Sequence, residues 1–139
     1  MSSQPLLLDT CALIWIAEGE AIAQAAVDAL DAAHAAGTKT YVSPISAWEI
    51  GLLAARQRLQ LLITPQRWFQ RILETPNVQL APMPPELLID SSFLPGTPPR
   101  DPADKIVVAT ARDHGCTLLT RDRALLNYAA QGHIRALEC

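Results

Sequence analysis

One stretch restricts the fold of this chain more than any other. Residues 100–122 read RDPADKIVVATARDHGCTLLTRD. Asp101 is a natural helix N-cap, and Pro102 fits the first helical position. Ile106 to Ala111 then supply the apolar side of a helix, and Gly115 ends it. Cys116 to Thr120 follow at once as a short strand, and Asp122 stands just past it. A helix leading directly into an apolar strand is half of a βαβ unit, which belongs to parallel sheets covered by helices. Such folds place ligands at helix starts and just beyond strand ends. This segment carries a carboxylate at each.

The rest of the chain repeats the alternation. Pro5 to Leu8 is an uninterrupted apolar run that suits a strand buried on both faces, and Asp9-Thr10 close it. Thr10 to Ala17 reads as a short helix. Glu20 to Ala36 carries Ile22, Ala26, Ala29, Leu30 and Ala33 on one side, and so reads as an amphipathic helix closed by Gly37. Thr40 to Val42 is β-prone. Ile45 to Arg58 is helical, with Ser43 or Ser46 as its cap. Thr64-Pro65 opens a helix to Leu73, Asn77 to Ala81 is a strand, and Pro84 to Ser91 is a helix. The LPGTPPR loop at 94–100 is too short and too rigid to separate domains. A helix over 123–130 and a strand over 134–137 complete the pattern. The expected fold is therefore α/β: one three-layer α/β/α domain over residues 1–139, with a central parallel sheet.

Composition narrows the class. Half of the 139 residues are hydrophobic and 18% are charged, enough apolar material for one core and too little charge for a disordered chain. A net charge of −3 argues against an overall basic nucleic-acid surface, although a local basic rim stays open. Cys11, Cys116 and Cys139 show no CxxC spacing, so neither a zinc site nor a disulfide framework is expected, which fits a reducing compartment. The first twenty residues lack a basic start, and Asp9 interrupts their apolar run. No apolar run is long enough to span a bilayer. The chain reads as soluble and cytoplasmic.

Four acids invite a functional reading, and each has a plain alternative. Asp9 follows the first strand, where it is a helix cap or a metal ligand at the edge of a parallel sheet. Glu49 sits in ISAWEIGLL among apolar neighbours; it points to solvent, or it lies at the core margin beside a face made by Ile45, Trp48 and Leu52. Asp101 reads as a cap. Asp104 falls at the third helical position, where the helix dipole favours a carboxylate that still points outward to a cation. Asp122 again suits a cap, and Thr120 either ends its strand or offers a hydroxyl to the same pocket. In a parallel α/β layout these points meet at one sheet edge. Carboxylates gathered there repel one another unless a cation joins them. Oxygen ligands without His or Cys suit Mg²⁺ or Mn²⁺, and such sites bind phosphates and activate water for in-line hydrolysis.

The segments LLLDT with Asp9, SAWEI with Glu49, RDPADKIVVATAR with Asp104 and LLTRD with Asp122 resemble the motifs of PIN-domain ribonucleases, in particular the VapC-type toxins of bacterial toxin–antitoxin pairs. Order and spacing match over essentially the whole chain. The resemblance implies a PIN-like sheet flanked by helices, with Mg²⁺ or Mn²⁺ bound by Asp9, Glu49, Asp104 and Asp122. It also implies endonucleolytic cleavage of RNA, a homodimer and a small cognate antitoxin. Lys105 replaces a common Arg, and Cys11 a common Ser or Asn; neither removes a ligand. Arg100, Lys105, Arg112, Arg121 and Arg123 lie near the acids in sequence, as holders of RNA phosphates or as solvated surface. Trp48, Leu52, Leu53, Leu59, Leu61, Leu62, Trp68 and Phe69 crowd two helices; most are expected in the core, and the surplus would form an antitoxin groove or a dimer contact.

Competing readings fare less well. A haloacid-dehalogenase-like phosphatase needs a second Asp two residues after Asp9, where Cys11 stands. A phospho-receiver domain needs paired acids after the first strand. A reactive Cys11 lacks a nearby His, and packing explains a small thiol there. A catalytically silent PIN-like binding module remains, and the full set of four acids argues against it.

Overall fold

A computed structural model describes residues 4–139. Five parallel strands form one sheet in the order β3-β2-β1-β4-β5: β1 (Leu6–Leu8), β2 (Thr40–Val42), β3 (Val78–Leu80), β4 (Thr117–Thr120) and β5 (Arg135–Glu138). The expected parallel α/β architecture is thus present. Seven helices connect the strands: α1 (Thr10–Ala17), α2 (Gln24–Ala36), α3 (Pro44–Ala55), α4 (Pro65–Leu73), α5 (Pro85–Asp90), α6 (Pro102–His114) and α7 (Arg123–Ala130). None is long and apolar enough to cross a membrane.

The central strand explains the two-sided cover. Leu6, Leu7 and Leu8 are all buried, because successive side chains in a strand point to opposite faces and both faces here are covered. Leu6 and Leu8 join Leu13 of α1, Ala26 and Ala33 of α2, Ile50 of α3 and Trp68 of α4 in one core. Leu7 joins Val107, Val108 and Ala111 of α6 with Leu125 and Tyr128 of α7 in the other. Leu8 pairs with Val42 on one side and Leu119 on the other.

Local differences from the sequence reading have physical causes. The second helix begins at Gln24 rather than Glu20, because Glu20 N–H bonds back to the Trp15 carbonyl and Ala23 N–H donates to the Cys139 carbonyl, which holds this segment extended beside β5. The third helix ends at Ala55 rather than Arg58, since Gln57 turns left-handed at φ 59° and Arg58 N–H reaches the Leu53 carbonyl. Asn77 is left-handed as well (φ 68°), so β3 begins one residue later than expected. The expected apolar face of α3 is corrected: its buried residues are Ser46 and Ile50, while Trp48 is 57% exposed. Leu62 is fully exposed, and of the crowded apolar set only Trp68 is buried outright, its indole N–H donating to Glu18 Oε1 at 2.8 Å.

The 94–100 loop is strapped to the C-terminal part of the chain. Buried Tyr128 donates its hydroxyl to the Pro95 carbonyl at 2.6 Å, and Gln131 Oε1 accepts Thr97 N–H at 2.9 Å. Gly96 sits between them at φ +68°, with the ideal Cβ position 2.4 Å from His133 Nε2. Gly96→Ala is therefore expected to lower stability by roughly 2 kcal/mol or more. Gly37→Ala, at φ +69° with nothing within 4 Å, should cost less. Urea unfolding of both variants checks the difference; equal losses would mean that crowding at Gly96 is relieved freely.

Candidate active site

The order β3-β2-β1-β4-β5 makes the boundary between β1 and β4 a switch point, where connections leave in opposite directions. Asp9 follows β1 and Asp122 lies just beyond β4, so both stand at its carboxyl end. Each begins a helix. Asp9 Oδ1 accepts Ala12 N–H at 2.7 Å and starts α1; Asp122 Oδ1 accepts Leu125 N–H at 3.1 Å and starts α7. Asp101 caps α6 in the same way, taking Ala103 N–H at 2.7 Å. The capping readings of these three acids are correct, and capping also fixes where each carboxylate points.

All four predicted residues, Asp9, Glu49, Asp104 and Asp122, line one cavity of about 340 Å³, and Asp101 lines it too. They come from four separate segments of the chain. The Thr120 hydroxyl joins two of them: it donates to Asp9 Oδ2 and accepts Asp122 N–H at 3.0 Å. Glu49 is held by another hydroxyl, since Thr10 Oγ1 donates to its Oε1 at 2.5 Å. Because a hydroxyl has one proton, Ser46 then donates to Thr10 across their 2.9 Å contact. Asp104 differs from the rest. Among the described residues its carboxylate takes no hydrogen bond, and none of their ion pairs involves any of the five acids.

The electrostatics follow from this arrangement. Burial, then the charges of Asp101, Asp122, Glu49 and Asp9, push Asp104 up to about 7. Burial also raises Asp9, against the lowering effect of its Thr120 and Ala12 hydrogen bonds. Glu49 is raised, mainly by burial, with the Thr10 hydrogen bond opposing it. Partial burial, then the charges of Asp9, Glu49, Asp122 and Asp104, push the Cys11 thiol up to about 11, which removes it as a thiolate nucleophile near neutral pH. Among the described residues no three acidic, histidine or cysteine side chains are already gathered closely enough to hold one ion. The donor chemistry fits a hard divalent cation: oxygen ligands only, and one carboxylate with no partner.

Of the five nearby cations, only Arg121 reaches this cavity. Arg112 instead donates to the His133 carbonyl at 2.6 Å, and Arg123 pairs with Glu138 at 3.3 Å. Thr10 and Ser46 went unrecognised in the sequence. Nothing there marks them except a helical spacing that puts Ser46 one turn before Ile50.

A family model described as the PIN domain matches residues 6–131. The chain belongs to the PIN-domain family. This PIN domain is also 35% identical, over 124 residues, to Ribonuclease VapC22 of Mycobacterium tuberculosis, covering 88% of this chain and 91% of that one. The fold matches a chain of the VapBC2 structure from Rickettsia felis, bound to a DNA fragment from its promoter, with a TM-score of 0.67 at 10% identity over 97% of this chain and 98% of the other. It matches FitAcB from Neisseria gonorrhoeae with a TM-score of 0.56 at 22% identity, covering 95% and 96%.

The raised Asp104 has a consequence for the metal-free PIN domain. Between the ordinary carboxylate range and about 7, the folded chain holds a proton on Asp104 that the unfolded chain has released. Stability therefore falls as pH rises through that window and levels off above it. Thermal melts from pH 4 to pH 8 should show a steeper fall for the metal-free wild type than for Asp104→Asn. Matching slopes would mean that this carboxylate is not under strain from its neighbours.

Proposed function

We propose that this PIN domain is a Mg²⁺- or Mn²⁺-dependent endoribonuclease, the toxin of a toxin–antitoxin pair, working as a single unit over residues 1–139 in the cytoplasm. The observation that carries this reading is the meeting of Asp9, Glu49, Asp104 and Asp122 in one cavity with no cation paired to any of them. PIN nucleases are metal-dependent, and the ribonuclease relative at 35% identity supports RNA as substrate.

Asp9, Asp104 and Asp122 would hold the ion, with Glu49 as a further ligand or as the group that orients the attacking water. A divalent ion there supplies charge neutralisation for a phosphodiester and a hydroxide nucleophile at neutral pH. The chain's own residues prepare that chemistry. Hydrogen bonds from Ala12 N–H and the Thr120 hydroxyl fix the Asp9 carboxylate, and the Ser46–Thr10 relay fixes one Glu49 oxygen while leaving the other free for a water proton. Asp104 has both oxygens open. The N-termini of α1, α6 and α7 begin at acids lining the cavity, and their dipoles favour the phosphate's negative charge.

Partners are part of the reading. Solved structures that share the fold include VapBC2 and FitAB, which supports a small antitoxin bound to this chain as well. We also propose a homodimer, for which the exposed Trp48, Ile89 and Phe93 supply apolar surface.

Calorimetric titration of Mn²⁺, followed by incubation with a mixed RNA pool, tests the assignment. Wild type should bind saturably and cleave. Asp104→Asn should lose binding and lower cleavage by at least about a hundredfold, with its fold intact. Asp9→Asn keeps an oxygen for the Ala12 cap and should also lose cleavage. Unchanged metal-dependent cleavage in Asp104→Asn would overturn the ligand set. Neither binding nor cleavage by the wild type would favour a silent binding module.

A further inference from the structure

Among the described residues Arg121 is the one cation lining the acidic cavity, and none of their ion pairs joins it to the acids. Its guanidinium carbon lies over the Trp15 ring, 3.9 Å from the centroid, and its Nη2 donates to the Ala21 carbonyl at 2.9 Å. Trp15 and Arg121 both line the cavity that holds Asp9, Asp104 and Asp122. An arginine beside several carboxylates would ordinarily fork onto one of them. Here the indole and a backbone carbonyl hold it away. Two things follow. None of the carboxylates is tied up in an ion pair with the guanidinium, and the Arg121 side chain, lying over an indole, is exposed at the rim.

We propose that Arg121, stacked on Trp15, is a platform for one nucleobase of single-stranded RNA next to the scissile phosphate, and so a specificity-determining residue. This rests on the nuclease reading above. Bases splayed from single strands stack on guanidinium planes and aromatic rings. The geometry favours a base over a phosphate: one guanidinium edge is spent on Ala21, whereas the residue, backed by the indole, is exposed. A phosphate held by charge alone needs no indole behind the cation. Trp15 would act through Arg121, as the residue that sets its plane and adds cation–π attraction.

The test uses the full chain and fluorescein-labelled single-stranded RNA octamers of mixed sequence, one intact and the others with a single abasic nucleotide walked along the strand. Binding is read by anisotropy in Ca²⁺, a cation that accepts oxygen ligands in looser geometry than Mg²⁺. One abasic position should weaken wild-type binding by about tenfold, the scale of one stacked base. Arg121→Lys keeps the charge and removes the plane. It should weaken the intact octamer by a similar factor, and the sensitive abasic position should then add nothing. Trp15→Leu, which keeps an apolar contact for the helix, should do the same, with thermal melts reporting the fold of both variants. Wild-type-like binding by Arg121→Lys, or an equal loss on intact and every abasic octamer, overturns the platform alone. Failure of the wild type to bind any octamer while it takes up Mn²⁺ overturns the nuclease reading, and the platform with it.

Discussion

Burial of several carboxylates at one edge of the sheet, with the repulsion between them, is the constraint around which the structure is arranged. Five acids line one cavity, and burial and mutual charge raise Asp9, Glu49 and Asp104. Such a centre destabilises the metal-free fold, so the framework must hold it in place by other means. It does so with backbone donors and hydroxyls. Three of the acids cap helices, and the Thr120 hydroxyl bridges the ends of β1 and β4. The apolar strands behind them, buried on both faces, anchor those helix starts. A residue that caps a helix and a residue that holds an ion are usually weighed as rivals. At Asp9 and Asp122 the cap bond uses one oxygen and aims the carboxylate, so the first role prepares the second.

Much of this was legible in the sequence because it depends on short-range rules. Short apolar or β-prone runs, an Asp-Pro helix start and a Gly helix stop are local signals, and they predicted the order of elements correctly. The meeting of Asp9 and Asp122 followed from parallel topology alone. Glu49 was harder. Its place beside the acids depends on which face of α3 is buried, and the apolar residues misled: Trp48 faces out, while Ser46 faces in and bonds to Thr10. A buried serine carries no hydrophobic signal, so a network of hydroxyls is nearly silent in one sequence. The helix limits at 24 and 55 were set by hydrogen bonds to residues far along the chain or by a left-handed Gln57, which propensity does not record.

The cations show the same division. Arg100, Lys105, Arg112, Arg121 and Arg123 are alike in proximity along the chain, yet they take different work. Arg112 tethers the loop before β5, Arg123 pairs at the surface, and Arg100 and Lys105 do not line the cavity, whereas Arg121 does. What separates them is three-dimensional: an indole from α1 stands across from the residue that follows β4.

The sheet order also bears on when the cavity can form during synthesis of the chain. β1 is synthesised first, yet one of its two neighbours is β4, more than a hundred residues later. Asp9 gains its Thr120 hydroxyl, and the cavity its Asp122, only after that late segment has emerged and inserted beside β1. Pairing over so long a separation is slow, because the closing loop must be ordered before any contact repays it. The fold thus carries its own delay: a half-made chain holds Asp9 and Glu49 but not the segments that bring Asp104 and Asp122 to the same cavity.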